Sequence, residues 1–191
     1  AYQQRIKNTG FTTHQCPTLW VNMDMSERGV HQRLQTLAKG HNLPKVEGVS
    51  VVNFPSNPGL DMTNPDAVVA LERLIQEVGA GLVVIDNLVT ISGGVDENSA
   101  AMGSVMYPLR HIASSTDATF IVIHLVNKAN GEYRGSTAIN GALDLLLNVK
   151  REGNSPIAKV SAHKVRNMPV PPLTVEFHGV HNLGGRELEH A

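Results

Sequence analysis

At 191 residues the chain is long enough for one domain with a sizeable core, and its 16 basic against 17 acidic residues leave a net charge of −1. That balance excludes a protein that grips nucleic acid by bulk charge; any basic contact has to be local. Apolar residues at 41% and charged residues at 17% exclude global disorder, and the single cysteine, Cys16, excludes a disulfide framework or a Cys-based zinc cluster. No apolar run is long enough to cross a bilayer, and the polar start AYQQRIKN is unlike a signal peptide. These features predict a soluble, cytoplasmic α/β domain. With aromatic residues at only 4%, its core is expected to be built from Val, Ile, Leu and Ala.

Short β-rich runs alternate with helical periods, the pattern of βαβ units and a parallel sheet. Residues 18–23 (TLWVNM) read as a strand, after which Ser26 caps a helix with Val30, Leu34, Leu37 and Ala38 on one face. Residues 49–54 (VSVVNF) form the next strand. Asn64-Pro65-Asp66 supplies a cap, a proline in the first helical position and an acid in the first turn. The buried stripe of that helix is Val68, Leu71, Leu74, Ile75 and Val78, and glycines at 79 and 81 end it. Residues 82–85 are almost purely apolar, as in a strand buried on both faces of a parallel sheet. Asp96 or Asn98 opens a helix carrying Met102, Val105, Met106, Leu109 and Ile112, which Pro108 is expected to kink or split.

Residues 120–124 make a second central strand, followed by a polar loop at 127–134 and a short helical piece around 136–141. The rhythm then changes: 145–149, 157–163 and 173–177 are strand candidates without helices between them, and the turn at 152–155 suits an antiparallel hairpin. The whole of 1–191 is expected to be one domain, with 188–191 resembling a tag remnant.

The chemistry concentrates at strand ends. Leu82-Val83-Val84-Ile85-Asp86 ends in an acid, and the carboxyl end of a buried parallel strand is where open α/β sheets hold ligands. In nucleoside triphosphatases such an acid holds Mg²⁺ through water, although an Asp closing a strand before a turn is also common without a ligand. Asp24 follows the first strand and His124 ends the strand beginning at Phe120, so in a parallel sheet Asp24, Asp86 and His124 share one edge. Asp24 is suited to orient or deprotonate an attacking water, and His124 to contact a γ-phosphate. None of the nine histidines has a second ligand partner at zinc spacing, and the serines lack a G-x-S-x-G elbow.

The run WVNMDMSERGVHQRLQTL resembles the second characteristic segment of RecA/DnaB-type helicase cores, in which an apolar strand ends in an acid before an amphipathic helix. LVVIDNLVTISGG, then FIVIHLVNKANGEYRGSTAINGALDLLLNV, then AHKVRNMPVPPLTVEF, are similar in order and spacing to RepA-like plasmid replicative helicases and their phage relatives. The resemblance covers residues 19–177. It implies a RecA-like P-loop NTPase fold, ATP and Mg²⁺ as cofactors, a hexamer and single-stranded DNA as partner. On it, Asp24 matches the catalytic acid, where many relatives carry Glu. Asp86 matches the Walker B acid that holds Mg²⁺ through water, and His124 the polar sensor. Arg134-Gly135-Ser136 matches an RGS segment after the pore loop, and Lys164 and Arg166 match the pair that reaches the neighbouring subunit's nucleotide. Lys128, Tyr133 and Arg134 are the implied DNA contacts.

No G-x-x-x-x-G-K-[ST] occurs in the 191 residues; Gly10-Phe11-Thr12-Thr13 supplies neither the lysine nor the nest of amides that cradle phosphates. Residues 1–7 have helical composition, and Gly10 suits the left-handed position after a helix end, so the chain is expected to begin inside a helix. The expected molecule is a RecA-like core without its first strand and P-loop. A truncated chain, an incomplete reading frame and a natural protein that has lost nucleotide binding all fit. Two functions follow: a helicase or translocase motor fragment unable to turn over ATP normally, or a non-enzymatic assembly or nucleic-acid-binding module. An open sheet edge is expected to favour self-association.

Overall fold

The computed structural model describes residues 14–53, 59–125, 136–167, 169–176, 179–182 and 185–188, and divides the chain into two compact units. The first comprises residues 1–26 and 48–142, the second residues 27–47 and 143–191.

The first unit is built on a four-stranded parallel sheet of β1 (Thr18–Asn22), β2 (Val49–Asn53), β3 (Leu82–Asp86) and β4 (Thr119–Ile123), in the order β2-β1-β3-β4. Leu19 and Val21 of β1 and Val83 and Ile85 of β3 are fully buried, while Trp20 and Val84 between them are half-buried. β3 therefore alternates, unlike the strand buried on both faces that its composition predicts. An apolar run sets no period, so composition alone does not reveal which side is covered.

Helix α2 (Pro65–Val78) starts as its sequence dictates. Asn64 is extended and its side chain accepts from the Asp66 amide, Pro65 fills the first position, and Gly79 closes the helix at φ 64°. Of its stripe, Leu71 and Ile75 are buried, each contributing roughly 2 kcal/mol. The remaining stripe residues, Val68, Leu74 and Val78, are half-buried.

The next helix departs from expectation. Ser99, rather than Asp96 or Asn98, caps a 3₁₀ turn, Ala100–Met102, and α3 (Gly103–Thr116) runs unbroken through Pro108. Pro108 lies in the second turn, where its missing amide forfeits one helical bond. Burial of Val105, Met106, Leu109 and Ile112 holds the helix together across it. α3 packs on α2, on β4 and on the short α4 (Thr137–Ala142). The Ser115 hydroxyl donates to Glu72, joining α3 to α2.

The second unit contains α1 (Glu27–Gly40) and an antiparallel sheet of β5 (Leu145–Arg151), β6 (Ile157–Val165) and β7 (Leu173–Glu176). In α1, Val30 and Ala38 are buried. β5 and β6 form the expected hairpin: Gly153 takes φ 51° and the Ser155 amide donates to the Glu152 carbonyl at 3.0 Å. A second hairpin, β8 (Gly179–Asn182) with β9 (Gly185–Leu188), follows where the sequence offers no strand candidate. At four residues each, these strands are too short for alternation to show. No helix among the described residues is long and apolar enough to cross a membrane.

Candidate functional site

β1, β3 and β4 end in one row. Asn22 is in register with Asp86, and Asp86 with Ile123. Neighbouring strands lie about 4.8 Å apart, so their carboxyl ends form a continuous edge. From β1 the chain continues to β2 on one side, and from β3 to β4 on the other. The β1/β3 boundary is therefore the topological switch point, the crevice in which open α/β sheets take ligands. Asp24, exposed, stands two residues beyond β1; Asp86, half-buried, is the last residue of β3; His124 follows β4 with its side chain 12% exposed. The three positions thus share the edge that their strand-end location predicts.

A buried polar network fixes the turn that carries Asp24. Asn22 is fully buried, and its Nδ2 donates to the Met25 carbonyl and to Asn53 Oδ1, both at 2.6 Å. Its Oδ1 accepts from the Met25 amide at 3.1 Å, and the Met23 amide donates to the Asp86 carbonyl at 2.9 Å. The turn is thereby strapped to β1, β2 and β3 together.

The exit from β3 is held in a similar way. The Asp86–Asn87 peptide is cis. Asn87 is 5% exposed, its Oδ1 accepts from the Thr90 amide at 3.3 Å, and Thr90 Oγ1 donates to the Asn87 carbonyl at 2.7 Å. The Leu88 amide donates to the Ile123 carbonyl at 2.8 Å, tying this exit to the end of β4. His124 Nε2 lies 3.8 Å from Glu97 Oε2.

Sequence reasoning passed over Asn22, Asn87 and Glu97. The signal for Asn22 was a lone amide closing an apolar strand, which a strand drawn through Met23 hides. For Glu97 it was an acid inside the turn-forming run Asp96-Glu97-Asn98-Ser99.

Lys164 and Arg166 belong to the second unit. Lys164 is half-buried in β6 opposite Leu146. Arg166 follows the strand: its amide donates to the Asp144 carbonyl at 2.9 Å and its Nε to the Leu143 carbonyl at 3.1 Å. Nε also lies 3.5 Å from Asp144 Oδ1. Lys128, Tyr133 and Arg134 lie outside the described residues.

Among the described residues no group of three or more His, Cys, Asp or Glu side chains could enclose a metal. Magnesium does not require one, since it keeps several waters and takes one or two carboxylates together with substrate phosphates. A single half-buried carboxylate at the switch point, Asp86, fits that habit.

A family model described as an AAA domain matches residues 6–131. No curated protein matches the chain. Among solved structures, the chain is similar to the KaiC-like protein PH0186 from the hyperthermophilic archaeon Pyrococcus horikoshii OT3, with a TM-score of 0.56 and 15% identity. The similarity covers 85% of this chain and 72% of that one. At this identity the likeness establishes the fold, a RecA-like arrangement of a mainly parallel sheet flanked by helices with antiparallel strands after it.

Proposed function

Because the chain belongs to the AAA domain family, we propose that it is the motor domain of an ATP-driven hexameric helicase or translocase acting on single-stranded DNA. The observation that carries this reading is the pair of acids at the switch point, Asp24 beyond β1 and Asp86 at the end of β3. Asp86 is the residue that would hold Mg²⁺. Asp24 orients the attacking water and takes its proton. His124 contacts the γ-phosphate from the end of β4. Magnesium, when bound, neutralises charge that develops on the phosphates. Lys164 and Arg166 serve the neighbouring subunit's nucleotide, and Arg166 suits the task because its charge is permanent and its donors form a planar fork. Lys128, Tyr133 and Arg134 serve as the DNA contacts.

The 191 residues carry no G-x-x-x-x-G-K-[ST], so this chain by itself is inactive on the proposed reading. That same feature favours a second reading, a non-enzymatic module for assembly or nucleic-acid binding. The two separate in a protein with a phosphate-binding segment joined ahead of Ala1. Single-stranded DNA is expected to stimulate its ATP turnover and to promote its assembly into a hexamer. Turnover indifferent to DNA would contradict the helicase reading, and DNA binding without turnover would support the accessory module.

A further inference from the structure

We propose that Glu97 is the positioning residue for His124 and links it to the start of α4. Glu97 touches two elements at once. Its carboxylate lies beside His124 Nε2 at 3.8 Å, and its backbone carbonyl accepts from the Ser136 amide at 3.1 Å. A carboxylate facing one ring nitrogen favours a proton there and so fixes the tautomer and rotation of the imidazole. At 3.8 Å the Glu97 oxygen lies just beyond hydrogen-bond distance of the ring nitrogen, and such contacts shorten when a ligand orders a site.

The mount is rigid. Asp96 Oδ1 accepts from the Asn98 amide at 2.9 Å and from Asn98 Nδ2 at 3.2 Å, and the Asp96 carbonyl accepts from the Ser99 amide at 3.0 Å. Ser99 then caps the 3₁₀ turn leading into α3. On the far side Ser136 is 7% exposed, and it receives the Asn140 amide on its carbonyl at 3.3 Å and the Ile139 amide on its hydroxyl at 3.4 Å. Ser136 therefore starts α4, and Glu97 is what holds Ser136. The route from the His124 ring to the first turn of α4 therefore runs through one residue, by way of the Glu97 side chain and its backbone carbonyl.

The role of this link in signalling rests on the reading of His124 as the phosphate contact, but the link itself is testable without nucleotide. In the 191-residue chain, histidine ring nitrogen spectra and amide hydrogen exchange are to be compared for wild type, Glu97→Ala, Glu97→Gln and His124→Ala. Glu97→Ala is expected to shift the His124 ring signals towards the other tautomer. Glu97→Gln, with the same length and an acceptor oxygen, is expected to retain them. His124→Ala is expected to speed exchange of the Ser136 amide by about fivefold, the effect of weakening one hydrogen bond, while core amides in β1 and β3 keep wild-type protection. Ring signals unmoved in Glu97→Ala, a Glu97→Gln spectrum like that of Glu97→Ala, or Ser136 exchange unmoved in His124→Ala would overturn the proposal. Failure of the chain to act on nucleotide in any form would remove the proposed function and leave these readouts to decide the link.

Discussion

Replacing Arg166 with alanine, in a hexamer equipped with a phosphate-binding loop, is expected to lower ATP turnover by about a thousandfold with little change in nucleotide affinity. The size follows from the role: an arginine supplied by a neighbour stabilises charge that appears only in the transition state, so its loss falls on kcat rather than on binding. In the second unit Arg166 Nε donates to the Leu143 carbonyl and the backbone amide to the Asp144 carbonyl, while the two terminal guanidinium nitrogens are the planar fork suited to a phosphoryl oxygen. Arg166→Lys is not expected to rescue, since an ammonium lacks both the planar fork and the Nε donor. Asp144→Ala, one residue before β5, removes the carboxylate beside Arg166 and offers a control. Its carboxylate is 70% exposed, and surface pairs of this kind contribute about 0–1 kcal/mol. Steady-state kinetics of the three variants check the expectation, and an Arg166→Ala enzyme with wild-type turnover would contradict it.

The second large effect is on stability. Asn22→Asp is expected to destabilise the first unit by roughly 3 kcal/mol. The substitution is nearly isosteric, so packing barely changes, but both bonds from Nδ2 are lost and a carboxylate is set against the Met25 carbonyl and Asn53 Oδ1, two acceptors. The site is fully buried, so water cannot repair the mismatch. Urea unfolding followed by circular dichroism measures the loss. A change within about 0.5 kcal/mol would place Asn22 among ordinary surface positions and contradict its role in bracing the Asp24 turn.

The parts of this molecule that were legible in its sequence are those whose signal is local. Asn64-Pro65-Asp66 and Gly79 state both ends of α2 through capping chemistry that needs no tertiary partner. The strand-end acids were legible because a parallel sheet puts every carboxyl end on one edge whatever the strand order. The order β2-β1-β3-β4, which sets the switch point between Asp24 and Asp86, is a long-range property and came from the structure. α3 shows the opposite failure: Pro108 is a strong local signal against a continuous helix, and burial of Val105, Met106, Leu109 and Ile112 outweighs it. Asn22 and Glu97 were not legible because the partners Asn53, His124 and Ser136 are brought to them only by the fold.

On the proposed function, the β1/β3 edge holds a nucleotide once a phosphate cradle is present. Calorimetric titration with Mg²⁺ and a non-hydrolysable ATP analogue tests it most directly, run on the 191-residue chain and on the same chain with a G-x-x-x-x-G-K-[ST] segment joined ahead of Ala1. No detectable binding to the first and clear binding to the second are expected, the latter weakened when Asp86 is replaced by asparagine. Tight binding to the chain as it stands would mean that other residues cradle the phosphates. No binding to the extended chain would contradict a nucleotide site at this edge.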